Sequence, residues 1–467
     1  VAGLKKRVFQ SALGVHLKLR SVPLYARGYD TLRAQVLGGQ SGSARQAAVF
    51  ATHYEGSAIA PKTILYEAFH ASSMACGPAA IYEAAQDDPR FAGFAHVWAI
   101  DDPAAIPAGL TSRPNTRVID REGDEYAKLL ATAGYLVNNS TFPYWYTRRD
   151  GQVYVNTWHG TPLKTMFRDE NAAQARFANS QRNFLQASHI IMSSDYATRH
   201  LLGSADVAPL VATKTWQIGT PRLDRTIKAR AGWTPSQATR HILFAPTWKG
   251  VIGQTESQIG EINAMIKALR DLPGAPITLH VKAHNFNTDD LGDMTRHSAD
   301  GLTVKSVPVT DDINDVMARM DVVITDYSSL MIDALAADIP VLLFVPDLLI
   351  YGATRGLYLD LETLPLTLCH DADALRRALD DPKPPQAFDQ AGPARAVYYP
   401  DEDGQAAARA LDVMLGAADA PAPLAQTTKP VIAMMAGAWK RNGITSSAMN
   451  LLSNIDTDTY DVVVLTD

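Results

Sequence analysis

The sequence predicts an α/β protein built from two open parallel sheets, each covered by helices on both faces, with a ligand cleft between them. Three observations carry that expectation. Short apolar runs alternate with helical stretches from Lys62 to Leu415, the pattern of strand–helix–strand units whose strands are buried on both faces. One apolar run, ending at Val155, leads directly into Asn156-Thr157-Trp158-His159-Gly160-Thr161-Pro162-Leu163-Lys164. Another leads into Thr325-Asp326-Tyr327-Ser328-Ser329 and then an apolar helical stretch. Ligands of open α/β sheets sit beyond the carboxyl ends of the strands, so both polar stretches fall on the binding edge.

The first sheet domain is expected over 58–230. Strands are predicted at 62–69, 94–100, 116–119, 135–138, 153–157, 189–193 and 216–219, with helices at 122–133 and 173–187. A further helix at 78–86 opens with Pro78 in its first turn, where a missing N–H costs nothing. The second domain is expected over 231–415. It has a five-strand set at 241–245, 277–282, 302–306, 322–325 and 341–345, and helices at 256–270, 313–320, 330–337, 371–379 and 401–415. Residues 416–430 are rich in Ala, Pro and Thr and read as a linker. The stretch 431–467 reads as a truncated βαβ tail: strand 431–435, glycine-bearing loop 437–443, helix 444–452, strand 460–465. So short a piece cannot bury a stable core alone, so the sequence is expected to belong to a longer polypeptide with a further domain here.

Composition sets the broad class. A chain of 467 residues with 46% hydrophobic and 20% charged residues is an ordinary globular protein of two or three domains. No apolar run approaches the ~20 residues that span a bilayer. Cys76 and Cys369 lie far apart and in no metal-ligand spacing, which argues against a disulfide framework and fits a reducing compartment. The net charge of −6 is uneven: eight basic residues and one acid precede Glu55, a local charge of +7 that leaves −13 elsewhere. Within 1–57, a basic helical segment, Leu4, Val8, Ala12 and Leu13 share one helical face, a pattern suited to an anionic membrane surface and equally to a solvated leader. The acidic remainder argues against nucleic acid as a partner.

His159 is the leading catalytic candidate. An imidazole titrates near neutrality and takes a proton from a hydroxyl, and Gly160 lets the backbone approach a ligand. A lone His-Gly pair is more often a structural turn; Thr161 and Lys164 beside it at a sheet edge shift the balance to function. Ser328 and Ser329 open a helix, whose free N–H groups and dipole suit a pyrophosphate as well as they suit simple capping. Asp326 would repel a phosphate if it pointed inward, so its expected part in the donor site is to cap or orient. Lys282 and His284 alternate on one strand end and form a cationic pair for phosphate, with an exposed strand end as the equal alternative. Lys249, in Pro246-Thr247-Trp248-Lys249, is a weaker phosphate contact. Arg222 is expected on the surface. The sequence has no phosphate-binding P-loop, no Gly-x-Gly-x-x-Gly after a strand, no zinc pattern and no Asp-x-Asp pair of the kind that clamps a metal on a nucleotide donor. No metal site and no tightly bound cofactor are therefore expected, although a loosely held divalent cation is compatible with the site.

Together these residues resemble the CDP-glycerol glycerophosphotransferase family, which builds poly(glycerol-phosphate) teichoic-acid and capsule chains. The resemblance rests on Lys62-Thr63-Ile64-Leu65-Tyr66-Glu67, the His159 stretch, Phe244-Ala245-Pro246-Thr247-Trp248 and Asp312-Ile313-Asn314-Asp315. Its most specific element is Ile324-Thr325-Asp326-Tyr327-Ser328-Ser329-Leu330-Met331-Ile332-Asp333, with Arg355-Gly356-Leu357-Tyr358 as a fainter echo. It implies a GT-B-like fold, two Rossmann-type parallel-sheet domains facing a cleft, the first for acceptor and the second for the CDP donor. It implies transfer of glycerol phosphate from CDP-glycerol to the terminal hydroxyl of a lipid-linked polymer, releasing CMP, by a peripheral enzyme on the cytoplasmic face of the membrane. His159 would be the base; His284, Ser328 and Ser329 would contact the diphosphate. The stretch after Asp333, Ala-Leu-Ala-Ala-Asp, lacks an expected aromatic and leaves glycerol, ribitol or another polyol open. The tail, with Trp439-Lys440-Arg441-Asn442-Gly443, resembles the start of a GT-B glycosyltransferase domain. A nucleotide-sugar glycosyltransferase and a non-catalytic polymer- or membrane-binding module are the alternatives.

Overall fold

The structure, a computed structural model, describes residues 42–170, 177–247, 250–251, 254–255, 259–270, 272–282, 298, 301–308, 310–364, 366–380, 393–417, 421–424, 429–435 and 442–465. Seven strands form the first sheet: β1 (Ala60–Glu67), β2 (Ala95–Ala99), β3 (Thr116–Ile119), β4 (Ala133–Asn138), β5 (Val153–Asn156), β6 (His189–Met192) and β7 (Thr215–Gln217). Their order is β3-β2-β1-β4-β5-β6-β7, and every pairing is parallel. The order reverses between β1 and β4, which makes that gap the sheet's topological switch point.

The second sheet contains β8 (Arg240–Ala245) and, after a two-stranded hairpin of β9 (Gly250–Val251) and β10 (Gln254–Thr255), β11 (Ile277–Val281) and β12 (Leu302–Ser306). It is completed by β13 (Val322–Thr325), β14 (Val341–Phe344) and β15 (Thr367–Cys369). Its order is β12-β11-β8-β13-β14-β15, all parallel, with the switch point between β8 and β13. The sheet thus has six strands where the sequence predicts five; β15 is three residues long and too short to show a period. The buried runs Ile242-Leu243-Phe244 and Val322-Val323-Ile324 explain why these strands take central places: both faces are covered by helix.

Two further differences matter. The helix Ala406–Leu415, expected to close the second domain, crosses back onto the first: Ala410, Leu411, Val413 and Met414 join the core of Ile64, Tyr66, Ile81 and Trp98. The helix Gly42–Gly56, assigned to the basic leader, also packs on the first domain, where Phe50 is buried and Gln46 Nε2 donates to the Arg121 carbonyl at 2.6 Å. Residues 1–41, which carry most of the basic charge, lie outside the described residues. In the tail, Val431–Met435 and Asp461–Leu465 pair in parallel around the helix Gly443–Leu452, the βαβ arrangement expected there. Among the described residues no helix is long and apolar enough to cross a membrane.

Candidate functional site

β5 delivers the chain to the cleft edge, and a set of asparagines fixes the turn beyond it. Asn156, fully buried, donates from Nδ2 to Asn138 Oδ1 at 2.9 Å and to the Ser140 carbonyl at 2.8 Å, while its Oδ1 accepts the Trp158 N–H at 3.0 Å. Trp158 takes a left-handed φ of 49°, which costs a non-glycine residue on the order of 1–3 kcal/mol. That turn stacks the indole on the His159 ring, with centroids 4.4 Å apart. His159 Nδ1 lies 2.6 Å from the Asn139 carbonyl oxygen. A carbonyl only accepts, so Nδ1 carries the proton and Nε2 keeps a free lone pair, the tautomer a base requires. The ring faces open solvent in the cleft yet is crowded by protein behind and beside it. That burial lowers its pKa to about 4; the Asn139 carbonyl opposes the shift, and Arg222 and His70 add to it.

A second strained segment adjoins this one. Phe69, His70 and Ala71, directly after β1, have φ of 48°, 55° and 68°. The Phe69 N–H donates to Asn139 Oδ1 at 2.8 Å, and its ring stands edge-on to His159 at 5.7 Å.

On the facing side, β13 ends at Thr325 and the helix Leu330–Ala336 begins after Ser329. Ser328 Oγ accepts the Leu330 N–H at 3.3 Å, and both serines are half-buried. Asp326 is buried and accepts from the Thr247 N–H at 2.8 Å and the Tyr327 N–H at 2.6 Å. Its carboxylate therefore braces the β8 and β13 exits against each other.

The two edges touch. A Cβ placed on Gly160 would come within 2.6 Å of Ser329 Oγ, so glycine is what permits the approach. Thr161 is buried beside it, in a small pocket shared with Thr157, Thr220 and Arg222. A backbone clasp continues the contact. The Tyr358 N–H donates to the Leu163 carbonyl at 2.8 Å, and the Thr165 N–H to the Gly356 carbonyl at 3.2 Å. Lys164 and Leu357 form an antiparallel bridge between them. The Lys164 ammonium lies 5.8 Å from the Tyr351 ring centre; burial lowers its pKa to about 8, with Asp326 opposing.

Lys282 directs its ammonium to the Pro308 and Asp311 carbonyls, at 2.5 and 3.2 Å, so two of its three donors anchor that loop. Lys249 and His284 lie outside the described residues. Arg222 is not on the surface, contrary to the expectation from sequence: it is 5% exposed and holds Asp333 through two hydrogen bonds of 2.7 Å. Asp333 lies just beyond the serine helix start and Arg222 just beyond β7, so this ion pair joins the two domains beneath the cleft. Removing one member of such a buried pair typically costs ~3–5 kcal/mol. Sequence reasoning also missed Phe69 and Asn139; for Asn139 the paired asparagines at the end of β4 were the available signal. Among the described residues no group of three His, Cys, Asp or Glu side chains is placed to hold a metal.

Comparison with known proteins bears on the fold and the family. A solved structure of the wall teichoic acid polymerase TagF superposes with a TM-score of 0.67 at 21% identity, covering 84% of this chain and 97% of that one, which shows a shared fold. A teichoic acid poly(glycerol phosphate) polymerase of Bacillus spizizenii is 25% identical over 323 residues, 64% of this chain and 78% of that protein. The polymerase of Bacillus subtilis is 26% identical over 331 residues, 64% of this chain; the chain spans only 41% of that relative's length. The family model described as CDP-Glycerol:Poly(glycerophosphate) glycerophosphotransferase matches residues 48–416, and the chain belongs to that family.

Proposed function

We propose that this member of the glycerophosphotransferase family transfers glycerol phosphate from CDP-glycerol to the terminal hydroxyl of a poly(glycerol-phosphate) acceptor, releasing CMP. The observation that carries the proposal is the contact of Gly160 with Ser329, which sets a neutral imidazole and a serine-tipped helix start on the same cleft.

In this reading the acceptor hydroxyl donates its proton to His159 Nε2 as its oxygen attacks the β-phosphorus of the donor. The new P–O bond forms while the bond from that phosphorus to the bridging oxygen breaks. CMP leaves with the bonding electron pair, and the imidazolium later loses its proton to solvent. The Leu330, Met331 and Ile332 N–H groups are already bonded to Ser328 and Ser329, so the Ser328 and Ser329 hydroxyls and the positive end of the helix Leu330–Ala336 meet the negative charge, supported by Lys164. Phosphoryl transfer depends mainly on such positioning and charge stabilisation. Lys249 and His284 are assigned to the same diphosphate from the sequence alone. A bound donor, itself negative, raises the imidazole pKa toward neutrality and strengthens it as a base.

The acceptor is proposed to be lipid-linked, with the protein peripheral on the cytoplasmic face of the membrane; the support is the +7 charge of the opening stretch. Incubating the protein with CDP-glycerol or with UDP-sugars and a lipid-tailed glycerol-phosphate oligomer tests the reaction. CMP release and an oligomer longer by one glycerol phosphate are expected; UDP release, or no nucleotide release from either donor, would overturn it. Sedimentation with vesicles tests the membrane proposal: binding to anionic but not zwitterionic lipid, lost in high salt, is expected.

A further inference from the structure

The first sheet reverses its strand order between β1 and β4, and the loops leaving those two strands carry Phe69 and Asn139. That is where an open α/β sheet receives a ligand, yet the serine helix assigned above to the donor sits on the other domain. Three consecutive non-glycine residues, Phe69, His70 and Ala71, are left-handed there. Such strain persists only where surrounding contacts impose it, and it concentrates at ligand sites. The contacts are present: the Phe69 N–H is held by Asn139 Oδ1 at 2.8 Å, and the Ala71 carbonyl accepts the Asp101 N–H at 3.0 Å. The loop thereby presents Phe69, a residue 37% exposed, beside Trp158, which is 8% exposed. The ring borders His159, and one residue anchors both, since the Asn139 carbonyl accepts the imidazole proton at 2.6 Å.

We infer that Phe69 is a specificity-determining residue that packs against the carbon edge of the acceptor polyol. The inference rests on the transfer reaction proposed above. A glycerol-phosphate chain alternates charged phosphates with short carbon units. The serine helix and Lys164 answer the donor charge, whereas an uncharged ring offers nothing to a phosphate. It offers dispersion and dehydration to methylene groups. A terminal glycerol lying on this ring brings its hydroxyl to the adjacent Nε2. The ring therefore selects the acceptor's carbon skeleton and leaves the donor untouched.

The test uses the full chain with CDP-glycerol and the lipid-tailed oligomer, comparing unmodified protein, Phe69→Leu and Phe69→Ala. The expected result is an acceptor KM raised about tenfold in F69A and less in F69L, with the KM for CDP-glycerol within about twofold. F69L keeps an apolar side chain of similar length, so it carries the comparison if F69A does not fold. Unchanged acceptor KM in both variants overturns the inference. So does a fall in kcat with both KM values unaltered, because the ring would then only prop His159. Absence of CMP release by the unmodified protein would overturn the underlying reaction instead, which keeps the two failures apart.

Discussion

The two edges of the cleft are built in opposite ways. The first-domain edge concentrates backbone strain: Phe69, His70, Ala71, Cys76 and Trp158 are all left-handed without being glycine. The second-domain edge is relaxed. Ser329 sits at φ −59° and leads into an ordinary helix, and among the described residues no non-glycine residue from Val322 to Ala336 has a positive φ. On the proposed mechanism the difference matches the ligand group each edge would hold. A base works only when one nitrogen points at one proton, and fixing an imidazole that tightly required the Trp158 turn and the asparagine set. An anion accepts donors from many directions, and a helix start supplies them with no special conformation.

That contrast predicts unequal sensitivity. His159→Ala should reduce the rate of CMP release by ~10²–10⁴-fold, the usual cost of losing a general base; near-normal turnover in a folded variant would remove His159 from the mechanism. Ser329→Ala should be milder, roughly tenfold to a hundredfold, because hydrogen bonds to charged groups are worth ~1.5–3 kcal/mol and the Ser328 hydroxyl remains. Gly160→Ala joins the two edges in one experiment. Its methyl would displace the Ser329 hydroxyl, so the G160A loss should match that of S329A, and the double variant should be no worse than either. Additive losses would mean the contact has no catalytic consequence.

Titration sharpens the same comparison. Desolvation by the protein crowding its ring holds the His159 pKa at about 4 in the unliganded protein, so the acid limb of kcat/KM should lie well below pH 6.5, and the limb of kcat, read with donor bound, should lie higher. A kcat/KM limb at 6.5 would show a freely solvated ring. The smallest expected effect lies beneath the cleft, where burial raises the Glu402 pKa to about 7 against the Thr220 and Arg222 contacts that lower it. The folded state binds that proton more tightly than the unfolded chain. Its stabilising contribution is complete below about pH 4.5 and fades as pH rises through about 7. Glu402→Gln should flatten the stability profile across that window in chemical denaturation.

Much of this was readable from the sequence because it is local. The apolar runs at 116–119, 302–306 and 322–325 form strands with those bounds, and a histidine or a serine pair directly after a strand announces a sheet edge. The features that escaped were non-local or conformationally hidden. Arg222 reads as a surface residue because its partner is 111 positions away. The Phe69 turn contains no glycine to mark its left-handed residues, so residues 62–69 read as one strand where the structure ends it at Glu67. The helix Ala406–Leu415 has an apolar face that fits either domain, and only packing decided which one it covers.

The clasp between Leu163–Thr165 and Gly356–Tyr358 constrains how the enzyme can breathe. Its main-chain bonds run across the domain boundary a few residues from His159. Widening the crevice by separating the domains would break them, whereas rotation about their line would leave them intact. The clasp therefore acts as a pivot pin. On the proposed reaction, nucleotide entry and exit are expected on the side away from it, and His159, a few residues from the pin, is expected to move little through each cycle.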